Sequence, residues 1–111
     1  MNAFNLKVER WNIEEETGYK PLFTFYEDFS IAEPFGASAV EETFDRIFEE
    51  WKGDHKALTE LVMALNWKVW ILFERGSKLA EVYSRLWNKA DNYAVSHLKG
   101  EELSYFYKTT D

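Results

Sequence analysis

The sequence predicts an α+β domain, mainly α: a three-helix antiparallel bundle with an N-terminal β-hairpin and a short C-terminal helix. Three observations carry this expectation. Apolar residues recur at helical spacing over most of residues 37–111, two short segments before residue 30 alternate instead, and Gly, Pro and capping residues fall at the joints. The chain of 111 residues suits one domain, with 1–36 as hairpin and connecting turn and 37–111 as helical bundle. A domain of this size buries roughly two-thirds of the surface its unfolded chain exposes, so it needs no metal or disulfide to hold it.

The hairpin is the weaker of the two parts. Over Asn5 to Ile13, Leu6 and Val8 alternate with Lys7 and Glu9. Over Leu22 to Phe29, Phe23, Phe25 and Phe29 share a face opposite Thr24 and Tyr26. The intervening EEETGYKP supplies Gly18 and Pro21 as breakers. Ser30 and Glu33 have capping-box spacing and predict one helical turn, ended by Pro34 and Gly36.

Ser38 and Glu41 repeat that spacing, and Val40, Phe44, Ile47, Phe48 and Trp51 follow on one helical face until Gly53. Beside them Glu41, Asp45 and Glu49 form an acidic stripe. Asp54 is the expected N-cap of the next helix, which runs to Gly76 with Leu58, Leu61, Val62, Leu65, Val69, Leu72 and Phe73 on one face. Ser77 caps a third helix whose apolar side holds Leu79, Val82, Tyr83, Leu86, Ala90, Tyr93, Ala94 and His97. Gly100 closes it, and Leu103 and Phe106 turn inward from the last short helix. Short connections place consecutive helices side by side and antiparallel.

The middle helix poses the main question. Its stretch MALNWKVWILFE is apolar nearly all round, with Met63, Trp67, Trp70 and Ile71 opposite the leucine face and only Asn66 and Lys68 as interruptions. A surface helix needs one apolar face, so the second requires a cover. Either the hairpin lies on it through Phe23 and Phe25, or a second copy of the chain does in a two-fold dimer. Asn66 is expected to bond locally or across helices, and Lys68 to extend its amine past the apolar wall.

Charge narrows the partners. The net charge is −7, and all of it lies in residues 1–53, which hold twelve acidic against five basic side chains; residues 54–111 hold eight of each. Such a surface disfavours direct binding of nucleic acid or anionic lipid. Aromatic–Lys pairs at Trp51-Lys52, Trp67-Lys68 and Tyr107-Lys108 read as core packing rather than as base-stacking sites. No cysteine is present, which excludes disulfides and thiolate zinc sites and agrees with a reducing cytoplasm. The opening MNAFNLKVERWN lacks the basic flank and apolar run of a signal peptide. The longest apolar segment, Ala57 to Phe73, is 17 positions long and interrupted by Glu60, Asn66 and Lys68, which argues against a membrane span.

Candidate chemistry is sparse. His55 and His97 have no Glu three residues before them, as a helical di-metal motif would require. The five glycines are scattered at 18, 36, 53, 76 and 100, so no phosphate loop forms. Ser30, Ser38 and Ser77 have cap contexts rather than a nucleophile elbow. The residues therefore predict no catalytic, cofactor or metal site and no small-molecule ligand.

Four segments, DFSIAEPFG at 28–36, FDRIFEEWK at 44–52, LTELVMALNWKVW at 58–70 and HLKGEELSYFYKTTD at 97–111, together resemble an uncharacterised family of small proteins. Phages and conjugative elements of gut Bacteroidetes and Firmicutes encode that family. The resemblance runs from about residue 22 onward and implies a bacterial cytoplasm containing mobile DNA; it brings no activity or catalytic residue with it. Residue pattern and resemblance together lead to a non-enzymatic accessory protein acting on a protein partner or as a homodimer. The alternative is an acidic DNA mimic that inhibits a host DNA-binding defence protein through Glu41, Asp45 and Glu49.

Overall fold

A computed structural model describes residues 22–110. Among them the order is α1 (Phe25–Ala32), a 3-10 turn (Glu33–Phe35), α2 (Ala37–Trp51), α3 (His55–Glu74), α4 (Leu79–His97) and α5 (Glu101–Thr110). The described chain is all-helical, and no strand occurs in it. The expected α+β class with its N-terminal β-hairpin is thereby corrected. The first expected strand, Asn5 to Ile13, lies outside the described residues. The second, Leu22 to Phe29, is largely α1.

The reason is visible in the side chains. Phe25, Phe29 and Ala32 recur at spacings of four and three and are buried together with Tyr26 and Ser30. Glu27 falls where an alternating strand would need an inward apolar residue, so the two-residue period breaks while the helical one continues. A helix also satisfies its own backbone groups without a partner strand. Phe23 and Phe25 stack at 5.2 Å and meet Trp51 edge-on at 5.0 and 6.3 Å. They cover the end of α2, not the Met63, Trp67, Trp70 and Ile71 face.

Helix α2 owes its amphipathic form to Val40, Phe44, Ile47 and Phe48, all buried. It begins on Gly36, with no side-chain cap, and so the expected Ser38 box is not formed. Gly36 has φ of 97°, a left-handed conformation that glycine adopts without steric cost. Asp54 does cap α3: its carboxylate accepts from the Lys56 and Ala57 amides at 3.0 and 3.1 Å. At the other end Gly76 at φ 70° closes a Schellman motif, with Ser77 N donating to Leu72 O at 2.9 Å and Gly76 N to Phe73 O at 3.0 Å. The Ser77 hydroxyl accepts from Leu79 N at 3.2 Å and helps start α4.

Helix α3 is the centre of the molecule, touching α1, α2, α4 and α5. Its Ala57, Leu58, Leu61, Val62, Ala64, Leu65 and Leu72 are buried. Phe73, expected on the leucine face, is instead 71% exposed, while the adjacent Leu72 is buried. None of the described helices is long and apolar enough to cross a membrane.

Two charged residues of α3 are buried and hold the first segment in place. Glu60 accepts from Leu22 N and Phe23 N, both at 2.7 Å, one on each carboxylate oxygen. Two turns further, Lys68 is 1% exposed, corrected from the expected solvent-reaching amine. Its Nζ lies 2.8 Å from Glu33 Oε2, donates to Ser30 Oγ and sits 3.9 Å above the Tyr26 ring. Tyr83 of α4 donates to the same Glu33 oxygen at 2.8 Å, and its ring meets Phe29 edge-on at 5.5 Å. Ser30 and Glu33 thus serve this buried network, not the capping box that their spacing suggests.

Candidate functional site: an aromatic cleft between α3, α4 and α5

The cleft is built by the return of α5 across the α3–α4 pair. Its first half is pinned to the start of α3, where His55 Nδ1 lies 3.1 Å from Glu102 Oε2 and the His55 ring meets Tyr105 edge-on at 5.5 Å. Phe106, 1% exposed, anchors the next turn in the core. Beyond it the second half of α5 flanks an opening of about 710 Å³. Val62, Met63, Asn66 and Trp67 line it from α3, Trp87, Asp91 and Val95 from α4, and Phe106, Tyr107, Thr109 and Thr110 from α5.

Helical geometry explains the two long walls. Met63 and Trp67 are four apart on α3; Trp87, Asp91 and Val95 are successive fourth residues on α4, so each set projects from one side of its helix. Asp91 therefore sits between two apolar residues on a half-buried flank. Burial holds its carboxyl above the ordinary value, because an ionised group loses solvation beside aromatic surface. Among the described residues no basic side chain pairs with it. The cleft thus offers one carboxylate, an amide, three hydroxyls and a wide aromatic surface.

The four residues of the expected interface do not share one environment. Met63 and Trp67 are half-buried cleft walls, and Ile71 is half-buried against the core. Trp70, one turn beyond Trp67, is 61% exposed. Pattern reading did not single out Trp87 or Asp91, and it took Tyr107 for core packing, whereas Tyr107 is an exposed wall of the cleft. The available signal was the Trp87, Asp91, Val95 spacing, an acid between apolar residues at the margin of the α4 core face.

The acidic stripe is also uneven. Glu41 lies 3.6 Å from Arg85 of α4, and Glu49 lies 3.1 Å from Lys52 on its own helix. Asp45 is exposed. His97 stacks on Tyr93 at 3.9 Å with Nδ1 2.9 Å from Tyr93 O. No group of three metal-ligating side chains gathers among the described residues.

A second, shallower groove of about 440 Å³ lies between α1 and α2, lined by Asp28, Ile31, Phe35 and Arg46 among others. Burial raises the Asp28 carboxyl, with Arg46 and a hydrogen bond from Thr24 opposing the shift and Glu27 adding to it. Its acid already has a base facing it, which leaves the α3–α4–α5 cleft as the better-formed site.

No family model, curated protein or solved structure matches the chain.

Proposed function

We propose that the chain is a non-enzymatic accessory protein of a phage or mobile element, working in the bacterial cytoplasm by binding another protein through the cleft wall of Met63 and Trp67 and the adjoining Trp70. The observation that carries this reading is Trp70, a large apolar side chain 61% exposed one turn from an open aromatic cleft. Exposed tryptophan beside a recess is the side-chain chemistry that dominates binding energy at protein interfaces. The mobile-element setting rests on the resemblance of residues 28–36, 44–52, 58–70 and 97–111.

Affinity capture from the native bacterial host tests the reading, with a Trp67→Ala/Trp70→Ala double variant as control. Loss of the captured protein with the variant supports it; equal recovery with both baits refutes it. Light scattering at high micromolar concentration distinguishes a foreign partner from a second copy of the chain.

The DNA-mimic reading draws less support, since Glu41 and Glu49 already lie beside Arg85 and Lys52. Reversing the charge at Glu41, Asp45 and Glu49 without loss of partner binding would exclude it.

A further inference from the structure

We infer that the α3–α4–α5 cleft receives a basic side chain, arginine or lysine, presented by the partner protein, with its stem along Trp67, Trp87 and Met63 and its charge at Asp91. The inference rests on the reading of this cleft as the partner-binding site and names what that site recognises. A basic side chain joins a long apolar stem to a terminal charge, and the cleft presents the complementary sequence of surfaces. Aromatic rings line its path, and their faces attract cations. A carboxylate stands among them, able to accept charge-assisted hydrogen bonds.

The charge balance of the neighbourhood selects this occupant. Three basic side chains of the described structure are engaged away from the cleft: Lys52 with Glu49, Lys68 with Glu33, Arg85 with Glu41. Lys89, the nearest base in sequence to Asp91, points its amine over the Phe44 and Phe48 rings at 5.6 Å. No basic side chain among the described residues forms an ion pair with Asp91, and burial alone raises its carboxyl, so it is a partly desolvated anion without a close counter-charge there. An apolar occupant would bury that anion further without compensation, and an acidic one would meet repulsion. A cation alone gains from both the rings and the carboxylate. The opening, about 710 Å³, has room for such a side chain with flanking residues at the rim.

The test titrates the ¹⁵N-labelled full chain with n-butylguanidinium, an arginine side chain without its backbone, and follows the indole N–H signals of Trp67 and Trp87. Both signals are expected to move saturably. n-Butylurea, of the same shape but uncharged, and the Asp91→Asn variant titrated with n-butylguanidinium should each bind about tenfold or more weakly, the loss that follows removal of one charge-assisted contact. Equal shifts with the two compounds, undiminished binding by Asp91→Asn, or no saturable movement would overturn the assignment. The comparison of the two compounds on the parent chain needs no variant to fold. If host-protein capture still depends on Trp67 and Trp70 while n-butylguanidinium fails, the cation falls and the interface stands. If n-butylguanidinium binds while capture is indifferent to Trp67 and Trp70, the reverse holds.

Discussion

Glu33 and Lys68 meet at 2.8 Å inside the protein, their side chains 9% and 1% exposed, and join the turn after α1 to the middle of α3. Tyr83 and Ser30 complete the arrangement, so three helices and a turn converge on one buried ion pair. A buried charge is tolerated when its partner and hydrogen bonds replace the lost water, and strongly disfavoured when one partner is removed.

Lys68→Ala is accordingly expected to destabilise the protein by about 3–5 kcal/mol, because it strands the Glu33 carboxylate. The double variant Lys68→Met/Glu33→Leu should be much less harmful than Lys68→Ala alone. Urea unfolding of the two proteins, compared at matched m-values, checks this.

Glu60→Ala removes the acceptor for the Leu22 and Phe23 amides. A loss of about 1–3 kcal/mol is expected, typical for polar groups left unsatisfied. Since these contacts hold the entry to α1, amide exchange should rise first at residues 22–32 while the α3 interior remains protected.

Gly76→Ala tests backbone conformation without altering packing. A Cβ at Gly76 would meet nothing within 4 Å, yet φ there is 70°. The expected cost is therefore purely conformational, about 1–2 kcal/mol, and visible as a lower Tm. Ala at Gly53, where the backbone is not left-handed and space is equally open, should be far better tolerated.

Asp91→Asn should leave thermal stability unchanged or higher at neutral pH, because it removes a desolvated charge. The sign follows from linkage: burial places the folded carboxyl pKa above the unfolded one, so the native state binds protons more readily and the penalty is relieved as pH falls through the raised pKa. The Tm of the parent should therefore gain on that of the variant as pH is lowered from neutral into the carboxylate range. A parent that loses ground over that interval would contradict the assignment.

The helices after residue 36 were legible because their signals are local. Val40, Phe44, Ile47 and Phe48 are spaced for one face, Asp54 stands where a cap is needed, and Gly76 stands where the chain must turn left-handed. The α1 segment was misread because a run of eight residues holds too few turns to separate the two periods, and Phe23, Phe25 and Phe29 satisfy alternation well enough to suggest a strand. The cleft was half legible. Met63 and Trp67 stood out as apolar surface in need of a cover, whereas Trp87 and Asp91 belong to a site that exists only once α5 lies beside α3 and α4.

Sequence alone determined where the helices past residue 36 run, that α3 carries more apolar surface than one core face can use, and that the acidic excess lies in the first half of the chain. These properties depend on neighbours a few positions away, within reach of one helical turn. Tertiary structure decided that Lys68 faces inward to Glu33, that Glu60 holds the start of α1, that Trp70 stays exposed while Trp67 becomes a wall, and that Asp91 lies in an aromatic cleft. Each of these depends on solvent being removed by an element distant in the chain, and desolvation is a property of the assembled surface that no single segment carries.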